Sequence, residues 1–221
     1  MNLIDTLESR QFFSVVVFNI DSAKSSIRVD AEVNIDNVGR FKLQPQFEGS
    51  NITRLQGTVR TDISSTGVRL LGGSRIDLVT KRNSFQPGNS FADLGVKGRL
   101  TRLGITLYRV EAALRNLTID LTSTSRLPVS SNNINLNRVT GRISSGKFDY
   151  SGSFNSGGSQ DLTGEIGTFE GGRAAFTRVG SALSASSARS FSIPVNFTIE
   201  DDFNNYKVKV KLTGTIVANR A

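Results

Sequence analysis

Apolar and polar residues alternate along most of this chain, and a period of two is the pattern of strands that bury one face. The segment SIRVDAEVNI (26–35) places aliphatic side chains at every second position, with charged or polar side chains between most of them. FSIPVNFTI (191–199) alternates in the same way, and residues 206–212 place Lys on one face and apolar side chains on the other. These patterns predict half-buried antiparallel strands, of which the last two form a hairpin.

Four further segments carry the rest of the main secondary-structure predictions. Residues 12–20 are a run of Val and Phe without a polar face, which predicts a buried strand. Residues 53–63 alternate, and Gly57 within them indicates a bulge or a close backbone approach. Residues 104–123 predict one long bulged strand or two strands, and residues 81–93 predict a loop because they are rich in Asn, Ser, Pro and Gly.

Strands at this spacing indicate an all-β fold, mostly antiparallel, with about ten to twelve strands arranged as a barrel or a sandwich. At most one short helix is expected. We predict a single domain over residues 1–221, with residues 1–10 as an N-terminal extension. Residues 181–190, which are rich in Ser and Ala, are predicted to be a flexible connection.

The chain contains no Cys and no His. The first absence excludes disulfides, zinc–thiolate sites and thiol nucleophiles, and the second excludes the usual general base and the usual transition-metal ligand. We therefore predict that the protein is not an enzyme. The sequence offers no catalytic residue and no cofactor site.

The formal net charge is +8, and the excess is concentrated in residues 51–115, where 11 Lys or Arg face 4 Asp or Glu (11 − 4 = +7). One interpretation is a solvated sheet face. The alternative is a basic patch for an anionic partner, which is a polysaccharide, a nucleic acid bound without sequence specificity, or a phospholipid surface. The candidate contacts for this patch are Arg54, Arg60, Arg69, Arg99 and Arg109.

Aromatic side chains offer a second candidate site, because the chain has 14 Phe, 3 Tyr and no Trp. Most Phe residues lie in alternating phase on predicted strands, so they pack a core or line a cavity. An antiparallel barrel of about eight strands can enclose one small apolar ligand. The candidate lining residues for an apolar lipid are Phe148, Phe154, Phe191 and Phe197.

Acidic and amide side chains gather in EDDFNN (200–205), between the two strands of the final hairpin. Calcium prefers oxygen ligands of this kind, which makes Asp201, Asp202 and Asn204 candidate metal ligands. The alternative is an ordinary hairpin loop, since such loops are commonly rich in Asp and Asn.

The segment FNIDSAKSSIRVDAEV (18–33) resembles the opening of the bacterial polyisoprenoid-binding periplasmic barrel family, and FSIPVNFTI resembles a late strand of that family. This resemblance implies a lipid-binding barrel. The ordered segments IDSAKSSIRV, LQPQFEGSNITRLQGTVRTDI, GGSRIDL, LRNLTIDLTS, SIPVNFTI and LTGTIVA are similar to a group of secreted, β-rich bacterial proteins of unknown function that often carry a C-terminal sorting tail. That second resemblance implies secretion, and it does not assign a functional role to any residue of this chain.

Three functions follow as expectations. The first is a non-enzymatic extracellular or cell-envelope protein, structural or binding, whose basic face meets an anionic surface or matrix. The alternatives are a lipid- or isoprenoid-binding β-barrel and a self-assembling subunit of a filament or viral particle. The sequence contains no run of 18 consecutive apolar residues, so no membrane-spanning helix is predicted. The N-terminus lacks leader features, so we expect a mature extracellular or envelope form, with a cytoplasmic protein as the alternative.

Overall fold

Strands provide all the regular secondary structure of the computed structural model, which describes residues 15–37, 39–153, 155–168, 172–203 and 206–221. Within these ranges there are nineteen strands and no helix, which confirms the all-β prediction. The strands are β1 (Val15–Ile20), β2 (Ser26–Ile35), β3 (Gly39–Lys42), β4 (Gln44–Pro45), β5 (Ile52–Ser64), β6 (Gly67–Leu70), β7 (Arg75–Leu78), β8 (Lys81–Phe85), β9 (Ser90–Ala92), β10 (Leu94–Arg102), β11 (Ile105–Ser123), β12 (Val129–Ser130), β13 (Asn133–Asn135), β14 (Val139–Gly152), β15 (Asn155–Asp161), β16 (Ile166–Thr168), β17 (Arg173–Arg178), β18 (Ala188–Phe203) and β19 (Tyr206–Arg220).

The number of strands exceeds the predicted ten to twelve partly because long strands are interrupted. β1 and β2 both run antiparallel to β19 and to β5, so they form one long strand that is interrupted at residues 21–25. The hydroxyl of Ser25 closes this break, because it accepts a hydrogen bond from the Val217 amide and donates one to the Val217 carbonyl. β3 and β4 continue one another in the same manner, between β2 and β10.

Antiparallel pairing closes the sheet into a barrel. Six strand positions are common to both ends of the barrel: β1/β2, β19, β18, β16/β17, β14 and β11. β16 and β17 count as one position because β16 pairs with β14 and β17 pairs with β18. Two strand pairs fill the remaining side between β11 and β2: β3/β4 with β10 at one end, and β5 with β7 at the other. The six common strands and the two additional ones make eight strands at each end of the barrel. A barrel of eight strands either fills with side chains or holds one small ligand.

The predicted alternation decides which side chains face the interior. β2 buries Ile27, Val29, Ala31, Val33 and Ile35 and turns its polar residues outward. The end of the barrel near β1 is densely packed, with the rings of Phe18 and Phe191 only 4.6 Å apart between their centroids. Gly57 allows a close backbone approach, as predicted, because a methyl group there would lie 2.0 Å from the Arg75 carbonyl oxygen.

Three sequence-based predictions need correction. β1 is not buried on both faces: Val15 and Val17 are exposed, because no other described strand covers the outer surface of β1. Residues 81–92 are not a plain loop but the small β8–β9 hairpin, whose Phe85 is buried on the outside of the barrel with Ala92 and Ala113. The predicted connection over residues 181–190 ends earlier, because residues 188–190 belong to β18 and follow a turn with reciprocal Ser184–Ser187 hydrogen bonds.

Other predictions are confirmed. Residues 105–123 form the single long strand β11, with register shifts between Arg115 and Ile119. β18 and β19 form the predicted final hairpin, paired from Ser190–Asn219 to Phe203–Tyr206. The described part of the chain offers no helix that is long and apolar enough to cross a membrane. The predicted extension over residues 1–10 lies outside the described residues.

Candidate functional site

The barrel contains a cavity of about 340 Å³ at the end opposite the Phe18–Phe191 contact. Its wall is formed by β2, β10, β11, β14, β18 and β19, together with Leu43 between β3 and β4 and the segment from β15 to β16. Nearly all of the lining side chains are aliphatic or aromatic. They include Ala31, Ala112, Phe148, Phe197, Val208 and Val210.

Small side chains at inward positions explain why this end is hollow. Ala31 lies opposite Val210 on neighbouring strands, and Ala112 on β11 also faces inward. At the other end, inward positions carry Phe18, Phe176 and Phe191, and these fill the same barrel cross-section. Because the strand number is the same at both levels, side-chain volume decides whether space remains.

The ring of Phe197 divides the interior. A second, smaller apolar void of about 50 Å³ lies on the packed side of Phe197. Leu117, Ile143 and Leu212 line both spaces with Phe197. The ring therefore forms the floor of the large cavity and separates it from the packed core.

A break in backbone pairing provides a side entrance. β18 pairs with β17 only as far as Ser192, and from Ile193 to Phe203 its sole recorded partner among the described strands is β19. The side chains of Gln160, Leu162, Glu165 and Ile166 lie across this break from β18 and line the cavity, while Phe197 and Glu200 line it from the other side. The exposed side chain of Ile166 marks the outer edge of this slit.

The polar groups of the cavity lie at the slit. Within the described lining, the polar side chains are Gln160, Glu165 and Glu200. Glu200 forms an ion pair with Lys209 at 2.6 Å, whereas Glu165 has no ion pair in the part of the chain that the structure describes. The cavity is thus apolar inside and weakly acidic at its entrance.

The lysines of β19 belong to a charge ladder rather than to an isolated basic stripe. Lys209 lies opposite Glu200 on one side and Glu32 on the other, and Glu32 in turn lies opposite Lys42. Glu32 also pairs with Arg40 at 3.2 Å. Charges of opposite sign across neighbouring strands stabilise a solvated sheet face modestly.

The structure separates the predicted Phe residues. Phe148 and Phe197 line the cavity. Phe191 lies in the packed end against Phe18, and Phe154 is outside the described residues. The pattern of Phe residues alone did not indicate the cavity. Small residues at inward positions, such as Ala31, leave the space that the aromatic rings border.

The five candidate arginines are all exposed but fall into two groups. Arg54, Arg60 and Arg69 lie on β5 and β6, which pair with neither β10 nor β11. Arg99 and Arg109 lie directly opposite each other in the β10–β11 hairpin. The structure therefore does not place all five on one pair of strands.

The acidic segment before the last turn is largely strand. Asp201 and Asp202 lie within β18, opposite Val208 and Lys207, so the hairpin loop is shorter than the predicted 200–205. Asn204 lies outside the described residues. The described ranges contain no group of three acidic side chains that could hold a metal ion. The calcium site stays a prediction.

A buried carboxylate lies in the barrel wall. Asp93 accepts hydrogen bonds from the Leu117 amide and the Thr80 hydroxyl, both at 2.7 Å. Burial raises the pKa of Asp93 above its ordinary value. Its side chain does not line the cavity. Through these two hydrogen bonds it connects the start of β10 to β11 and to the segment that follows β7. Its arrangement fits a structural role.

Comparisons of the chain with protein-family models, with curated proteins and with solved structures gave no match. The two resemblances drawn from the sequence therefore stay expectations.

Proposed function

We propose that this protein is a non-enzymatic carrier of one apolar small molecule, such as a lipid tail or an isoprenoid chain. The observation that carries the proposal is the apolar cavity of about 340 Å³, which lies within the volume range of ligand sites. A water molecule occupies about 30 Å³ in the liquid, and a methylene group is of similar size, so the cavity accommodates an aliphatic chain of roughly ten carbon atoms or an aromatic molecule of the same volume. Burying each methylene contributes about 0.8 kcal/mol, and this gain must exceed the freedom that the ligand loses on binding.

The entrance favours a particular chemistry for the rest of the ligand. A molecule whose tail fills the cavity through the slit places its polar end near Glu165 and Glu200. Lys209 neutralises Glu200, but Glu165 stays unpaired among the described residues. A hydroxyl, amide or cationic head group therefore suits this entrance better than a free carboxylate.

Native mass spectrometry and a titration with the neutral apolar dye N-phenyl-1-naphthylamine test the proposal. We expect a bound mass that moves into an organic extract, or uptake of the dye by protein that has been stripped of lipid. Ala31→Leu and Ala112→Leu extend side chains into the cavity and should abolish dye uptake. Ala175→Leu, on the outer face of β17, is the matched control and should bind like the unmodified protein.

The proposal fails if stripped protein takes up neither dye nor extracted lipid. It also fails if the two cavity-filling variants bind the dye as well as the Ala175→Leu control. Circular dichroism must show that each variant is folded before its binding is compared. An apolar core tolerates some added volume, at a cost of about 1–3 kcal/mol.

A further inference from the structure

The β10–β11 hairpin extends past the barrel wall. β4 pairs with β10 only at Val96 and Lys97, and β14 pairs with β11 only from Val110 onward. Between these limits, within the described ranges, the two strands of the hairpin pair only with each other, apart from two hydrogen bonds between Arg109 and Ser153. The tip beyond Leu100 and Tyr108 is therefore a projecting two-stranded ribbon.

Large aliphatic side chains are exposed at this tip. Leu103 is 95% exposed, Ile105 66% and Leu107 43%, and the three occur within five consecutive residues. Single exposed apolar residues are ordinary on protein surfaces, but a cluster of this kind on a projecting turn marks an interaction site.

The charge of the tip, together with that of the adjoining residues 98–100 and 108–110, is entirely positive. GRLTRLGITLYRV (98–110) contains Arg99, Arg102 and Arg109 and no acidic residue. Arg99 and Arg109 face each other directly across the hairpin, where like charges are unfavourable without a partner. None of these three arginines has an ion pair to any residue that the structure describes, in contrast to Lys209 on β19 and Arg40 on β3.

We propose that the tip of this hairpin docks on an anionic phospholipid bilayer surface. Leu103, Ile105 and Leu107 enter the boundary between head groups and acyl chains, and the arginines contact lipid phosphates. This combination of aliphatic insertion and basic flanks is how surface-bound segments hold to anionic membranes. An anionic polysaccharide would use the arginines but leave the three aliphatic side chains in water.

The position of the tip relates this docking to the cavity, although the inference does not depend on the proposed function. Val96 and Ala112, just before and just after the projecting part, line the cavity. The tip therefore projects from the cavity end of the barrel, and docking holds that end close to the bilayer. Such an arrangement shortens the path of an apolar molecule between membrane and cavity.

Co-sedimentation with lipid vesicles tests the inference. We expect binding to phosphatidylcholine vesicles that contain roughly one-third phosphatidylglycerol, weak binding to pure phosphatidylcholine, and release by salt. The variant Arg99→Gln/Arg102→Gln/Arg109→Gln should bind about a hundred-fold more weakly, because each arginine contributes roughly fivefold near an anionic surface. Leu103→Ser/Ile105→Ser should weaken binding by at least about tenfold.

A matched variant separates the tip from net charge. Arg54→Gln/Arg60→Gln/Arg69→Gln removes the same charge from β5 and β6, and should keep most of the vesicle binding. Equal loss in both arginine triples would overturn the inference in favour of a diffuse charge effect. Absence of binding to anionic vesicles, or a concentration-dependent dimer that Leu103→Ser/Ile105→Ser abolishes, would overturn it as well.

Dye uptake measured without vesicles distinguishes this inference from the proposed function. The tip variants should take up N-phenyl-1-naphthylamine normally, since their altered side chains do not line the cavity. A tip variant that keeps vesicle binding contradicts the docking inference alone, whereas a protein that docks but never takes up dye contradicts the carrier function alone.

Discussion

The ring of Phe197 rests directly on the backbone of Gly167. A methyl group added at Gly167 would lie 1.4 Å from Cε2 and 1.6 Å from Cζ of that ring. This contact lies where the slit between β18 and the β15–β16 segment ends, so it fixes both the floor of the cavity and the lower limit of its entrance.

Gly167→Ala should displace the Phe197 ring and destabilise the protein. We expect a loss of about 1–3 kcal/mol in the free energy of unfolding, because the core must absorb an atom where none fits. Gly141 lies directly opposite Gly167 on β14, and a methyl group there meets Ile119 and Leu121 at an ordinary 3.6 Å. Gly141→Ala is therefore the control and should be neutral or slightly stabilising. Urea denaturation of both variants gives the comparison, and equal losses would contradict the contact.

Glu165→Lys should change which ligands the cavity accepts. The positive side chain at the slit should improve the binding of a medium-chain fatty acid relative to the matching alcohol by several-fold to about tenfold, a range set by solvent screening. Dye displacement by the two ligands measures the ratio. Glu48→Lys makes the same charge change at an exposed site away from the lining and should leave the ratio unchanged. An unchanged ratio in both variants would show that the head group does not lie at Glu165.

Asp93 should make stability depend on pH. Since burial raises its pKa in the folded state, the folded protein binds the proton more tightly than the unfolded chain does. The contribution of Asp93 to the free energy of unfolding is therefore greatest at acid pH. It is lost as the pH rises from 3.8, the ordinary pKa of the group, through its raised pKa in the folded protein.

Asp93→Asn should remove this pH dependence, so its stability relative to the unmodified protein should improve between acid and neutral pH. The amide can still accept from the Leu117 amide and donate to the Thr80 hydroxyl, which preserves both contacts. Asp93→Ala leaves these groups without their partner and should cost about 1–3 kcal/mol at any pH. Denaturation at a series of pH values checks both, and parallel curves for the Asp93→Asn variant and the native protein would refute the assignment.

Arg115 should hold the β8–β9 hairpin against the barrel. Its guanidinium donates to Asp149 and to the Pro87 carbonyl, both at 2.5 Å, and also to the Phe91 carbonyl. A lysine ammonium cannot reach three acceptors in these directions, so Arg115→Lys should cost about 1–3 kcal/mol.

Hydrogen exchange locates this effect. Amides of residues 81–92 should exchange faster in Arg115→Lys, while those of the β18–β19 hairpin should not change. Arg75, whose side chain is 73% exposed beside Asp77, provides the control, because Arg75→Lys at an exposed arginine should be close to neutral. Uniform acceleration across the whole chain would indicate global destabilisation instead of release of the hairpin.

Local pattern was sufficient for much of the architecture. The alternation in residues 26–35 predicts both the limits of β2 and its buried face, because side chains of a strand point to opposite sides whatever the strand pairs with. For residues 104–123 the local pattern left one long bulged strand and two strands open, and pairing with β10 and β14 makes them the single strand β11. The exposed outer face of β1 could not be predicted, since its Val-rich composition does not say which neighbours cover it.

The sequence alone thus determined the fold class, the phase of the main strands and the inward placement of Phe191 and Phe197. Only the tertiary structure decided what those two rings do. Phe191 meets Phe18 in a filled cross-section, whereas Phe197 lies on Gly167 and borders an open cavity. Both residues lie on the same face of one strand, and their roles differ because the groups that oppose them come from segments distant in sequence. Packing across a barrel depends on these distant partners, which a local pattern of alternation does not contain.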